Sequence, residues 1–392
     1  MKLLIYSHYF PPSIGGVETI VLSLASGLAA ERAVDGSSDF DITLVTQTAA
    51  GSFQDGLLPF RIIRQPGTSE LRRLIREADV LHIAGPAIGP MLHGLFSRKP
   101  VIVEHHGFQA ICPTGQLFQE PENVPCPGHF MAGRHRFCLR CSPRRNRLVS
   151  FRLWLLTFFR RFLCRHVAAN IMPTAWLASR LQLPRSETVH HGLPTSPPLV
   201  RFPSIHATPL LVFIGRLVTT KGIRLLIEAS KILRQQRRSF ELLIVGDGPE
   251  RTSLEALVRE WQLTSQVRFL GRVPQSQIPE ILAKADFVVI PSLGGEVFGM
   301  VVAENMLRGI LVLASDLGAF VEVLGDTGLT FKTGDSNDLA HQIARLLDDP
   351  SLAKGMEQAA YRRVLKCFKM DRMIEVHAEI YRRLTSNKIS ST

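Results

Sequence analysis

Several things are scarce in this chain, and each scarcity excludes something. Among 392 residues there are only 6 cysteines, too few to suggest the disulfide framework of a small secreted scaffold. No apolar run approaches the roughly 20 residues needed to cross a bilayer; the richest, Leu153 to Phe159, is short and contains a threonine. No tract of low complexity and no repeat of fixed period is present, which argues against a disordered tail and a solenoid. The apolar start from Leu3 to Tyr6 is shorter than the roughly 7 to 15 residues of a secretory leader and is followed by Pro11 and Pro12. It reads as a first buried strand. The expectation is therefore a cytoplasmic globular protein of two or three domains, with attachment to the inner face of a membrane as the alternative.

Charge of one sign is missing from a long stretch. Between Asn123 and Ser186 there is no Lys, Asp or Glu, and there are 12 arginines, a number equal to the net charge of +12. The rest of the chain is electrically balanced, so the basic excess belongs to one segment.

Short aliphatic runs alternate with segments of helical length, the mark of parallel strands joined by crossover helices. In the first half the strand candidates are Lys2 to Tyr6, Asp41 to Thr46, Asp79 to Ile83, Val101 to Glu104 and Ala168 to Met172, with a helix from Val17 to about Arg32. In the second they are Leu210 to Ile214, Glu241 to Val245, Val267 to Leu270, Phe287 to Ile290 and Leu311 to Ala314. The proline-rich stretch from Leu193 to Pro209 reads as the linker. Ligands of open parallel sheets collect beyond the carboxyl ends of the strands, which directs attention to the loops there.

Strand Leu210 to Ile214 runs into Gly215, Arg216 and, five residues on, Lys221 and Gly222. A guanidinium and an ammonium beside the free amides of a helix start suit a diphosphate; alone, they could equally be solvated loop residues. Strand Glu241 to Val245 ends in Gly246, Asp247, Gly248 and Pro249, where missing side chains let a nucleotide approach the backbone. Strand Phe287 to Ile290 is followed by Pro291, Ser292, Leu293, Gly294, Gly295, Glu296, Val297, Phe298 and Gly299, then by a helix bearing Glu304. One carboxylate could hold sugar hydroxyls and the other ribose hydroxyls, while the amides of Phe298, Gly299, Met300 and Val301 face an anion. Without further context, both carboxylates could also be a helix-start charge and a surface residue.

The order Gly-Arg-x4-Lys-Gly, Val-Gly-Asp-Gly-Pro, Phe-Leu-Gly-Arg-Val and Pro-Ser-Leu-Gly-Gly-Glu-x-Phe-Gly-x4-Glu resembles the C-terminal half of retaining GT-B glycosyltransferases of family 4, the group 1 glycosyltransferases. The resemblance is strongest from Phe213 to Asp349. It implies an α/β fold of the GT-B kind, two Rossmann-like parallel-sheet domains facing across a cleft. Residues 1–198 would form the acceptor domain, 199–369 the sugar-nucleotide domain, and 370–392 a helix returning to the first. The resemblance further implies that Arg216 and Lys221 neutralise the donor diphosphate and that Glu304 binds the ribose. Glu296, with the amides of Phe298 to Val301, would hold the transferred sugar, and Gly271, Arg272 and Val273 would line the base. Pro11 to Glu18 looks like the family's glycine loop, carried by Gly15 and Gly16. In Val101 to Gly107 the family's histidine falls on His106, a sugar contact, with His105 as its rival. Asn305 and the turn from Ser315 to Phe320 depart from the common pattern.

The reaction implied is retaining transfer of a hexosyl group from a nucleoside diphosphate sugar to a hydroxyl acceptor, with no cofactor or metal required. A cell-envelope or polysaccharide acceptor, lipid-linked or at a membrane surface, is the associated expectation. A GT-B sugar-nucleotide epimerase, or a non-catalytic nucleotide- or nucleic-acid-binding protein, is the alternative.

Two further segments carry readings of their own. Within 144–166, Phe151, Trp154, Leu155, Phe158, Phe159 and Phe162 fall at helical spacing among arginines. This suits a domain helix whose arginines reach solvent, or one docked on an anionic membrane. Nucleic acid is not expected, since no base-reading motif accompanies the charge. Cys112, Cys126, Cys138 and Cys141 flank an insert rich in proline and glycine; a structural zinc site there is an option, although it has one close pair where the usual pattern has two.

Overall fold

The computed structural model describes residues 1–13, 15–31, 39–142, 146–194, 208–352 and 355–389. The chain divides into two compact units. Unit 1 comprises Met1–Gln116, Gly128–Gly192 and Lys369–Thr392; unit 2 comprises Leu117–Pro127 and Leu193–Phe368.

The strands of unit 1 are β1 (Lys2–Ser7), β2 (Asp41–Thr46), β3 (Arg61–Arg64), β4 (Val80–Ala84), β5 (Val101–Glu104), β8 (Ala169–Met172) and β9 (Ser186–Thr188). They form one parallel sheet in the order β3-β2-β1-β4-β5-β8-β9. Its central strands are buried on both faces, which is why they are nearly continuous aliphatic runs. Helices α1 (Gly16–Ala30), α2 (Thr68–Glu77), α3 (Ile88–Phe96), α4 (His135–Arg140), α5 (Arg147–Cys164) and α6 (Ala175–Leu181) follow the chain between them. On α1 the buried side chains Ile20, Val21, Leu24, Ala25 and Leu28 recur at helical period.

The short hairpin of β6 (Phe118–Gln119) and β7 (Val124–Pro125) lies in the stretch that belongs to unit 2. Phe118, 2% exposed, joins the core cluster of Phe213, Leu226 and Phe287 there. The expected first domain, 1–198, is thus interrupted by residues 117–127. The expected boundary at 198 and 199 and most of the proposed linker, residues 195–207, lie outside the described residues.

Unit 2 has a second parallel sheet, from β10 (Leu210–Ile214), β11 (Glu241–Val245), β12 (Val267–Gly271), β13 (Phe287–Ile290), β14 (Leu311–Ser315) and β15 (Leu329–Phe331). Their order is β12-β11-β10-β13-β14-β15. The order reverses at β10, so the loops after β10, β11 and β13 meet at the switch point where such sheets bind ligands. Its helices are α7 (Ile223–Gln235), α8 (Arg251–Glu260), α9 (Ile278–Leu282), α10 (Met300–Leu307), α11 (Gly318–Leu324), α12 (Ser336–Asp348) and α13 (Met356–Cys367).

The last helix, α14 (Met370–Ile389), packs on α1 and β4 within unit 1. Its buried Tyr381 makes a 2.9 Å hydrogen bond with Nδ1 of His82 on β4.

The basic segment does form a helix. α5 runs from Arg147 to Cys164, inside the proposed 144–166, with Asn146 accepting the Leu148 amide at 2.9 Å as its cap; Arg144 and Arg145 lie outside the described residues. Its buried residues are Ser150, Thr157, Leu163 and Cys164. Part of the aromatic stripe faces out, with Phe151 51% exposed, Leu155 54% and Phe162 56%. Trp154 and Phe158 instead pack on His135, and Phe158 also on Phe130, with ring centres 4.6 to 5.6 Å apart. Among the described residues no helix is long and apolar enough to cross a membrane.

Candidate active site

In unit 2 the loop after β10 is threaded through its neighbours. The Leu217 amide donates to Asp247 C=O at 3.0 Å, and the Leu293 amide donates to Thr220 C=O at 2.7 Å. Thr219 Oγ1 donates to Glu250 Oε1 at 2.7 Å. These bonds fix three strand-end loops as one surface.

On that surface Lys221 Nζ meets Glu296 Oε1 at 2.5 Å. Ser292 Oγ donates to the same oxygen at 3.0 Å, and Ser315 Oγ donates to Ser292 C=O at 2.7 Å. The ammonium and the carboxylate are 75 residues apart in sequence. Their side chains are 27% and 14% exposed, so the pair is partly shielded while still reachable by a ligand. Arg216 is exposed at the start of the same loop, two residues after β10.

Glu296 precedes α10, whose N-cap is Gly299 in left-handed backbone (φ 94°). The helix begins at Met300, directly after Gly299 as the sequence suggested. The amides without a helical partner are therefore those of Gly299, Met300, Val301 and Val302. Phe298 is 1% exposed and packs edge-on to Phe368 with ring centres 5.4 Å apart, while Met300 and Val301 lean on the same core. Their side chains are thus taken up by the core, which leaves the backbone amides at the helix start.

Glu304 lies on α10 with its side chain 39% exposed and Arg308 at 4.0 Å. Burial pushes its carboxyl above the usual range, and the Arg308 charge opposes this. Gly246 ends β11, with its amide donating to Gly271 C=O at 2.9 Å. Arg272 is exposed; Val273 packs in part against the core, which leaves less of it for a base.

In unit 1, Gly15 is the N-cap of α1 in extended backbone, and a Cβ there would lie 2.4 Å from Glu18 Oε2. Gly16 is exposed and starts the helix; Ile14 lies outside the described residues. Arg64 on β3 holds this loop by donating to Pro11 C=O at 2.8 Å and to Asp55 at 2.7 Å. Hydrogen bonding from Arg64 lowers the Asp55 carboxyl below its ordinary value.

The two neighbouring histidines separate clearly. His105 is fully buried, and its Nε2 lies 2.9 Å from Asn170 Oδ1. Asn170 spends its amide group on the carbonyls of Cys164 and Pro184, so its oxygen accepts and His105 Nε2 carries the proton. His105 is thus enclosed and held by Asn170. His106 is 6% exposed, with Nε2 3.7 Å from Glu104 Oε2.

Around the buried Glu104 stand four imidazoles. His82 Nε2 is 3.2 Å from Oε2, His377 Nε2 is 3.7 Å from Oε2, and His191 Nδ1 is 3.7 Å from Oε1. Burial pushes His82 and His106 toward the neutral form, His105 to about 4 and His191 to about 3. Burial alone would raise the Glu104 carboxyl, but the surrounding imidazoles hold it well below its ordinary value. Sequence reasoning missed this cluster. A signal was present, since His-His-Gly occurs after β5 and again at residues 190–192.

None of the six cysteines is bridged. Cys112, Cys138 and Cys141 belong to unit 1 and Cys126 to unit 2. Among the described residues no three of these thiols reach ligand range of one another, so the cysteine zinc reading gains no geometry.

Residues 201–363 match the family model "Glycosyl transferases group 1". The 2-deoxystreptamine glucosyltransferase of Streptomyces kanamyceticus is 36% identical over 145 residues, 36% of this chain and 37% of that protein. The phosphatidyl-myo-inositol mannosyltransferase of Mycolicibacterium smegmatis is 36% identical over 157 residues, 39% of this chain and 40% of that protein. In both, the match spans less than half of the relative's length. Among solved structures, Anabaena HepE in complex with UDP superposes with a TM-score of 0.70 at 18% identity, covering 100% of both chains. Residues 201–363 are thus similar to the group 1 glycosyl transferases, and the chain shares the GT-B fold of its structural neighbours.

Proposed function

We propose that this protein is a glycosyltransferase that takes a sugar from a nucleoside diphosphate sugar and places it on a hydroxyl acceptor, with retention at the anomeric carbon. The observation that carries the reading is the meeting of Lys221 with Glu296 at the switch point of the unit 2 sheet. A diphosphate needs cations and amides; a sugar needs a fixed carboxylate; both occur on one surface. Arg216 and Lys221 would take up the charge that develops on the departing diphosphate, aided by the α10 amides. Glu296 would hold sugar hydroxyls, Glu304 the ribose, and His106 keeps the sugar contact that the family resemblance implies. Related chains point the same way, since HepE is a UDP complex and other relatives transfer sugars by name.

The test is a thermal-shift and calorimetric screen of the full chain against UDP, GDP and their sugars. Binding of one sugar nucleotide, lost at least tenfold in Arg216→Ala, is the expected result. Binding of none, or equal binding by the variant, removes the donor assignment. Product analysis separates transfer from epimerisation, which would return a free sugar nucleotide without needing an acceptor.

A membrane-linked acceptor forms part of the proposal, favoured by the outward part of the α5 aromatic stripe and by the exposed Arg147, Arg152 and Arg165. Aromatic rings inserted at headgroup depth, with basic residues contributing about 1 kcal/mol each, would hold the protein at an anionic surface. Cosedimentation should rise when phosphatidylglycerol is added to phosphatidylcholine vesicles. Phe151→Ser/Phe162→Ser should weaken that binding at least tenfold. Equal recovery with both vesicle types would contradict the membrane assignment.

A further inference from the structure

The buried cluster of unit 1 is chemically incomplete as a set of hydrogen bonds. Both Glu104 oxygens, and Nε2 of His82, His106 and His377, are buried without a hydrogen-bond partner. The separations of 3.7 Å from Glu104 to His106, His191 and His377 exceed hydrogen-bond length. Buried polar atoms left in this way are costly unless something completes their bonding.

One tautomer is fixed. His377 Nδ1 lies 2.8 Å from the Met373 carbonyl, which can only accept, so Nδ1 carries a proton. In the neutral ring Nε2 then presents a lone pair toward the carboxylate, acceptor against acceptor. A proton shared between the carboxyl and an imidazole, or a metal ion, would complete the set.

The spacing admits the metal ion. Donors bound at about 2.0 to 2.2 Å to a tetrahedral zinc ion lie about 3.3 to 3.6 Å from each other. Glu104, His106 and His191 place one ligand atom each within 4.8 Å of one another, the one such group among the described residues. The two histidine rings lie nearly parallel, 5.3 Å apart and inclined at 24°. Two imidazoles and a carboxylate form a donor set that zinc and similar divalent ions accept. The buried His82, itself bonded to Tyr381, stands 3.2 Å from Glu104 Oε2 and would orient the carboxylate as an outer partner.

We propose that Glu104, His106 and His191 form a binding site for one divalent transition-metal ion of the zinc class. The site is buried in unit 1 and independent of the donor residues of unit 2. The ion neutralises the carboxylate and fixes His106 through Nε2, which leaves Nδ1–H as a donor for a sugar hydroxyl. That last consequence rests on the transfer reading; the site itself does not.

The experiment is elemental analysis of full-length protein purified without chelator, followed by cobalt(II) reconstitution after metal removal. The expected result is roughly one ion per chain, and visible cobalt bands without a thiolate charge-transfer band in the near ultraviolet. His191→Ala and Glu104→Gln should each lower the metal content at least tenfold, whereas Cys138→Ser/Cys141→Ser should leave it unchanged. Metal-free protein that gives no cobalt spectrum overturns the proposal, as does metal retained by His191→Ala or lost with the cysteines. The cobalt spectrum of the unmodified chain decides the matter even where a variant fails to fold. Since no sugar nucleotide enters the measurement, its failure is distinct from failure of the transfer reading.

Discussion

Replacing Lys221 by alanine is expected to cut sugar transfer by about 10²- to 10³-fold, the usual consequence of removing one charge-stabilising donor from a reaction site. Two effects combine. On the proposed reading the departing diphosphate would lose an ammonium, and Glu296 loses the partner that holds it at 2.5 Å, retaining Ser292. The fold should barely register the change, because a partly exposed ion pair contributes about 1 kcal/mol or less. Turnover with the sugar nucleotide found by binding, measured alongside thermal unfolding, tests both halves. Undiminished turnover would remove Lys221 from the mechanism, and a large drop in melting temperature would reassign it to stability.

The second large effect is on stability. Gly246, at the end of β11, has φ of +137°, and a Cβ placed there would lie 1.8 Å from the carbonyl oxygen of Gly215. That oxygen belongs to backbone, which cannot rotate away as a side-chain tip can. Gly246→Ala should therefore destabilise unit 2 by about 3 kcal/mol or more. For a unit of this size that corresponds to a fall of about 6 to 12 °C in Tm. Gly56→Ala, where a Cβ would meet nothing within 4 Å, serves as the control and should change Tm little. Calorimetry of the two variants checks this; equal melting would mean that the β10 and β11 loops give way at little cost. Donor binding should weaken in Gly246→Ala as well, because the loop bearing Arg216 and Lys221 is the one displaced.

How much of this was legible beforehand differed from element to element, for physical reasons. The central strands, such as Leu210–Ile214 and Phe287–Ile290, are apolar along their whole length because both faces are covered, and they were readable as strands within a residue or two. β3, with the sequence Arg-Ile-Ile-Arg, and β9, with Ser-Glu-Thr, are edge strands with one pairing neighbour and partial exposure. They need no apolar run and gave no sign of themselves. The pairing of Lys221 with Glu296 could be suspected from loop chemistry, since both follow strands at carboxyl ends. The gathering of Glu104, His191 and His377 could not, because three distant segments converge only through the sheet order and the course of α14. On α5 the period of the aromatic residues showed which of them share a face. It could not show that Ser150, Thr157 and Cys164 would be the ones turned inward.

The discontinuity of unit 1 has a bearing on biogenesis. Its sheet is complete by β9, yet α14, which supplies His377 and Tyr381 to the surroundings of Glu104, follows the whole of unit 2 along the chain. Unit 2, continuous from Leu193 to Phe368 apart from its early hairpin, can mature while that helix is still being translated. Until then Glu104 lacks two of its final neighbours, so a sheet translated ahead of unit 2 waits for a helix translated behind it.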